Sequence, residues 1–231
     1  MASRRLLIIA LLLLAHGSIA AAETIAIIGT GNVAQALGPA FAAQGHRVVY
    51  GSRNPESSKT RRLIEATGED ATATSAVAAA EQAGIVVLAV PGLMVADITQ
   101  DLGDLSDKII IDPTNPLRRK LMTFHHGVDT SNAEIIQEIA PDASVVKAFN
   151  TLNWKTMLDP ASTGGPISVP LAGDSRRAKR TVAKLVEGMG LEPIDVGGIE
   201  NARWVEGMLI LWINNRFSMR DSFEFHLRKR D

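Results

Sequence analysis

The chain has 231 residues, 46% of them apolar, with 24 lysines and arginines against 25 aspartates and glutamates and a formal net charge of −1. That balance leaves no basic footprint for nucleic acid, and the length suits one medium domain, or one with a small appendage. Cysteine is absent, which excludes disulfides, thiolate nucleophiles, cysteine-held zinc and iron–sulfur clusters, so redox chemistry would need a bound cofactor.

The first stretch reads MASRRLLIIALLLLAHGSIAAAE. Arg4 and Arg5 precede an apolar run from Leu6 to Ala15 and a small-residue region from Ser18 to Ala22. This is the pattern of a secretory signal peptide, and the run is shorter than the roughly 20 residues of a membrane span. Residues 1–22 are read as the leader, with cleavage after Ala20 or Ala22. An uncleaved anchor and a misassigned start are the alternatives. Ser3-Arg4-Arg5 also resembles a twin-arginine signal, a route suited to a protein that loads its nucleotide in the cytoplasm. The expected location is periplasmic or secreted, or cytoplasmic if the start is misassigned. Losing two arginines moves the charge from −1 to −3, and no stable span is expected in the mature chain.

From Thr24 onward apolar runs alternate with helical patterns, as in a βαβ sheet. Thr24–Gly29 reads as a buried strand, Asn32–Gln44 as a helix and Arg47–Gly51 as a strand. Pro55–Thr67 reads as a helix, with Pro55 in its first turn and Gly68 as its stop. Ser75–Ala83 is a short helix, and Gly84–Val90 a strand apolar on both faces. Leu93–Leu102 is a helix and Lys108–Asp112 a strand. Pro113–Asp129 has no period, and a loop this long in a compact domain is usually functional. Ser131-Asn132-Ala133-Glu134 forms a capping box that opens a helix to Ala140. Strands are expected at Ser144–Phe149, Ile167–Ala172 and Leu191–Val196. Helices are expected at Arg176–Met189, capped by Asp174 or Ser175, and at Asn201–Asn215. A short basic tail, Arg216–Asp231, ends the chain. The fold class is therefore α/β: a Rossmann-type, doubly wound, mostly parallel sheet over residues 23–196, with a small C-terminal helical extension over 197–231.

Gly29-Thr30-Gly31-Asn32-Val33-Ala34 is a G-x-G-x-x-A turn between a strand and a helix, the context a dinucleotide fingerprint requires. Gly29 makes the tight turn, Gly31 leaves room for pyrophosphate, and Ala34 lets the helix pack on the strand. The helix N-terminus turns free N–H groups toward the phosphates. NAD binders place an acidic residue roughly 20 positions on, at the end of the second strand. This chain has Gly51-Ser52-Arg53-Asn54 there. Ser52 can donate a hydrogen bond and Arg53 charge-assisted bonds to a 2′-phosphate, with Lys59 nearby. The expected nucleotide is NADP(H); the plainer reading leaves Arg53 a solvated turn residue.

Val90-Pro91-Gly92 ends the third long strand and is read as the floor under the nicotinamide, or as an ordinary turn. Asp112–Pro116, with Asn115 on the cofactor side, and Lys147–Leu152 each follow a strand. Both should project from the carboxyl edge, where open α/β sheets bind ligands. They offer hydroxyls, amides and apolar groups, with no triad or metal cluster; His125 and His126 read as exposed loop residues. Oxidising an alcohol needs an acid or base near the carbinol, and no Tyr-x-x-x-Lys pair is present. Hydride exchange with a flavin-type ring needs mainly stacking and orientation, so that chemistry is favoured.

The chain resembles the NADP-dependent oxidoreductases of the deazaflavin (coenzyme F-420) family. It is also similar to the oxidoreductase domain of the STEAP metalloreductases. The resemblance rests on Gly29–Ala34, YGSRNP at Tyr50–Pro55, DPTNP at Asp112–Pro116, TSNAE at Thr130–Glu134, VVKAFNTL at Val145–Leu152 and GGIENARWVE at Gly197–Glu206. It implies NADPH along the glycine turn, with Ser52 and Arg53 on the 2′-phosphate. A flavin or deazaflavin ring would stack near Val90–Pro91 and Asn150–Leu152. Some deazaflavin-dependent members carry histidine where this chain has Asn150, so coenzyme F-420, FMN and FAD all stay open as acceptor. No six-helix membrane domain follows, so haem and direct ferric reduction are not implied.

Two other readings stand beside a flavin-type reductase. One is an exported NADP-binding module without turnover. The other is a relative of β-hydroxyacid dehydrogenases or imine reductases, which needs a large all-α domain and a lysine in its long helix. Only 35 residues follow Val196, and GGIENARWVEGMLILW has no lysine. Trp204, Met208, Leu211 and Trp212 form a helical apolar stripe, read first as core packing and second as a homodimer contact or a lid.

Overall fold

The computed structural model describes residues 22–118, 123–124, 129–217 and 223–229. The leader read in residues 1–22 lies outside them except for Ala22, as do His125 and His126.

Strand β1 (Thr24–Ile28) leads into helix α1 (Asn32–Ala42), followed by β2 (Arg47–Gly51), α2 (Ser58–Thr67), β3 (Thr72–Thr74) and α3 (Ala76–Glu81). The second half of the sheet is built from β4 (Ile85–Leu88), α4 (Val95–Asp101) and β5 (Ile109–Asp112). Two short antiparallel strands, β6 (Leu117–Arg118) and β7 (Thr123–Phe124), come next. The chain continues through α5 (Asn132–Ile139), β8 (Ser144–Lys147), α6 (Trp154–Leu158), β9 (Ser168–Leu171), α7 (Arg176–Gly188), β10 (Glu192–Asp195) and α8 (Ala202–Phe217).

Six strands pair in the order β3-β2-β1-β4-β5-β8, and every pairing is parallel. This is the doubly wound Rossmann order, with its topological switch between β1 and β4. Strands β9 and β10 form a separate parallel pair, joined to β8 by an antiparallel bridge between Lys147 and Ala172.

The central strands β1, β2, β4 and β5 are largely apolar because both faces are covered. Ile25, Ile27, Val48, Tyr50, Ile85, Val87, Ile111 and Val146 pack on one face, beside α1 and α7 residues such as Leu37, Phe41 and Val182. Ala26, Ile28, Val49, Val86, Leu88, Ile110 and Val145 pack on the other, under α3, α4 and α5. Tyr50 fits only because Gly38 lacks a side chain: a Cβ there would lie 1.7 Å from the tyrosine oxygen. The Tyr50 hydroxyl meets Thr67 Oγ1 at 2.6 Å.

Several expectations need correction. Helix α2 begins at Ser58, not Pro55, because the Ser57 hydroxyl accepts the Thr60 N–H and caps it there. The helix expected from Leu93 begins at Val95, after a 3-10 turn over Gly92–Met94. The strand expected through Phe149 ends at Lys147, since Phe149 turns into the left-handed region with φ of 65°. Strand β3 and helix α6 were not anticipated: each is short, and α6 lacks the length for a legible period. The stripe on α8 faces the core only in part, with Met208 and Trp212 half-buried. Trp204 is 65% exposed and Leu211 63%, while Ala202, Val205, Glu206 and Leu209 are buried.

Candidate active site at the carboxyl edge of the sheet

Every residue singled out for nucleotide or acceptor binding sits on a segment leaving the carboxyl edge or on the first turn of the helix that follows it. Gly29 has φ of +113°, and a Cβ there would lie 2.3 Å from the Ala89 carbonyl oxygen, so the β1 and β4 ends approach closely only with glycine. Gly31 has open space where its Cβ would be, with no atom within 4 Å. It also precedes α1, whose N-cap carries no side-chain hydrogen bond. Thr30, Asn32 and Val33 complete this turn. An open cradle under uncapped helix N–H groups fits a pyrophosphate.

At the end of β2, the Ser52 hydroxyl accepts the Asn54 N–H at 3.1 Å and lies 3.4 Å from Thr60 Oγ1. Thr60 in turn donates to the Asn54 carbonyl. The turn is thus laced to the start of α2, which carries Lys59. Arg53 and Lys59 are exposed, and among the described residues neither has a carboxylate within ion-pair distance. No acidic side chain occupies the ribose position. The donor set fits a 2′-phosphate.

The acceptor-side residues form a more closed wall. Pro91 is exposed and Val90 half-buried, but Asn150, Thr151 and Leu152 are buried. Asn115 donates to the Asn150 carbonyl at 3.0 Å. The Asn150 amide donates back to Asn115 Oδ1 and to the Val205 carbonyl, both at 3.1 Å. Asn150 Oδ1 and Thr151 Oγ1 are buried without a hydrogen-bond partner. Orphaned polar atoms beside the left-handed Phe149 mark this turn as a place where strain is stored.

Beneath the wall lies a cluster that sequence reasoning missed. Lys147, the last residue of β8, is fully buried. Its ammonium reaches Asp112 Oδ2 at 2.7 Å, the Thr114 carbonyl at 2.7 Å and Glu206 Oε1 at 2.5 Å. Glu206 Oε1 also accepts the Asn132 N–H at 2.9 Å. The Asn132 amide donates to Thr114 Oγ1 and the Gly92 carbonyl. Burial disfavours the Lys147 charge, but Asp112 and Glu206 outweigh it and hold its pKa above the usual lysine value. Burial pushes the Glu206 carboxyl up; the Lys147 charge pulls it down, and Asp112 adds to the rise. One turn earlier on α8, Arg203 makes a two-pronged ion pair with Glu134 of α5. Asp112 and Lys147 end apolar strands, which was visible, but their partner on α8 is 59 positions beyond Lys147 and gave no local signal.

Comparison with known proteins places this architecture. Residues 24–116 match the family of NADP oxidoreductases, coenzyme F420-dependent. The F420-dependent NADP reductase of Methanothermobacter thermautotrophicus is 30% identical over 206 residues, covering 82% of this chain and 88% of that protein. The chain belongs to this NADP oxidoreductase family. A solved structure from Arthrobacter sp. FB24, named as a candidate F420-dependent NADP-reductase, superposes with a TM-score of 0.81 at 31% identity. It covers 89% of this chain and 99% of that one. The metalloreductase STEAP3 of Rattus norvegicus is 30% identical over 188 residues, 81% of this chain but only 36% of that protein. The chain therefore spans about a third of the metalloreductases it matches. Membership supports NADP(H) as the bound nucleotide. No described helix is long and apolar enough to cross a membrane.

Proposed function

We propose that this protein transfers hydride between NADP(H) and a flavin-type ring: coenzyme F-420, FMN or FAD. One observation carries the choice of chemistry. Among the described residues, the ionisable groups beneath the acceptor wall, Asp112, Lys147 and Glu206, are sealed at 0–1% exposure, with both carboxylates bonded to the lysine. A dehydrogenase acting on an alcohol needs an acid or base that reaches substrate. A ring-to-ring transfer needs alignment, which a wall of prolyl, amide and apolar groups supplies.

In this reading the glycine turn and the α1 N-terminus hold the pyrophosphate, and Ser52, Arg53 and Lys59 hold the 2′-phosphate. Val90 and Pro91 form the floor under the nicotinamide. Asn115 and the Asn150–Leu152 turn bound the acceptor side. The bound nucleotide supplies the hydride chemistry; the protein supplies orientation and a dry wall.

The test is NADPH oxidation by the purified full chain with FMN, FAD or the deazaflavin coenzyme, with NADH as control. Turnover with one acceptor and marked preference for NADPH is the expected result. Tight NADPH binding with no turnover on any of the three would leave the exported NADP-binding module instead.

A further inference from the structure

Asp112, Lys147 and Glu206 lie where a charge would be felt by the nicotinamide proposed above. Val87 pairs with Ile111 and Ile28 with Leu88. Asp112 is therefore level with Leu88, two residues before Val90 and one strand away from it. Neighbouring strands are about 4.8 Å apart, so the cluster lies on the order of 10 Å from a ring resting on Val90 and Pro91. Two carboxylates and one ammonium sum to a single negative charge. In the described structure no further cation enters the cluster. The remaining charged neighbours are Glu134 of α5 and Arg203 of α8, which neutralise each other, with Asp129 and Glu200 close to Arg203. From α5, the Asn132 N–H donates to Glu206.

We propose that the Asp112–Lys147–Glu206 cluster reads the redox state of the nucleotide: with Glu206 ionised, its net negative charge favours the cationic, oxidised nicotinamide over the neutral, reduced one. The inference rests on the NADP(H) site proposed above. When hydride leaves nicotinamide C4 with its electron pair for the acceptor ring, the nicotinamide is left with one positive charge. A fixed negative charge below it makes NADPH the better donor. Opposite unit charges about 10 Å apart at an effective dielectric near 20 shift a binding ratio on the order of tenfold. The raised pKa of Glu206 makes the effect pH-dependent: below it the cluster is neutral and the preference disappears.

The experiment measures Kd for NADP+ and for NADPH on the full chain, from about pH 9 down to the lowest pH at which the protein stays folded. Titration of the 2′-phosphate affects both ligands and cancels in the ratio. At the alkaline end Kd(NADPH)/Kd(NADP+) should fall about tenfold in Glu206→Gln. The wild-type ratio should descend toward that of the variant as pH is lowered. Equal ratios in the two proteins at every pH would overturn the proposal while leaving the nucleotide site intact. Should Glu206→Gln fail to fold, the wild-type series decides: a ratio falling with pH supports the proposal and a flat one overturns it. Failure of either nucleotide to bind would overturn the site reading and this inference together.

Discussion

At the scale of single residues, the proposed preference for NADP(H) rests on Arg53 and the turn geometry on Gly29. Arg53→Ala removes charge-assisted bonds worth about 1.5–3 kcal/mol, so NADPH binding should weaken roughly ten- to a hundredfold. Binding of NADH should barely change. Equal loss for both would show that Arg53 serves the fold rather than the 2′-phosphate. Gly29→Ala should abolish nucleotide binding and lower the melting temperature, because the new methyl meets the Ala89 carbonyl at 2.3 Å from a φ of +113°. Calorimetry and fluorescence titration check both. These positions were legible in the sequence because each acts within its own turn. Asn115 and Asn150 were legible only as residues after strands. Their mutual hydrogen bonds, and the burial of Asn150 to 2% exposure, come from packing under α8.

At the scale of elements, caps decide where helices begin. Ser57 accepts from Thr60 N–H and fixes both the start of α2 and the placement of Lys59. Ser57→Ala should cost about 1 kcal/mol in chemical denaturation and weaken NADPH binding modestly, since the Ser52–Thr60 contact depends on the same turn. Unchanged stability would show that the cap is dispensable. In α5 the Ser131 hydroxyl accepts the Glu134 N–H as expected, and it also donates to the Glu134 carboxylate. That carboxylate then reaches Arg203 of α8, so an expected local cap doubles as a long-range tie. Burial alone would raise the Glu134 pKa; the bonds from Arg203 and Ser131 outweigh it and hold the carboxyl below its usual value. Helix α8 shows the limit of pattern reading: Trp204 and Leu211 have helical spacing, yet the buried face is set by Val205, Glu206 and Leu209.

At the scale of the whole molecule, two groups make stability depend on pH at opposite ends. Burial outweighs the Thr67 hydrogen bond and raises the Tyr50 pKa to about 12. A raised pKa means the contribution is present below the usual value near 10 and lost as pH rises through about 12. The protein should lose stability across that alkaline window, and Tyr50→Phe should flatten the loss at a neutral-pH cost of about 1 kcal/mol. A window unchanged in the variant would assign it to another group. Glu134 acts at the acid end: its lowered pKa gives a contribution present above the usual carboxylate value and lost as pH falls through the lowered one.

By itself the sequence determined the α/β class, the glycine turn after β1, the missing acid after β2 and the edge from which the candidate site residues project. Those features are written in strand and helix periods and in turns a few residues long, where local sterics and hydrogen bonding suffice. Only the tertiary structure decided that Lys147 would be buried between Asp112 and Glu206, that Asn132 would bridge Gly92 and Thr114, and that α8 would close over the β8 turn. Those contacts join residues 18 to 59 positions apart. They arise because stacking the strands in parallel brings their carboxyl ends to one edge, where polar groups removed from water must find one another.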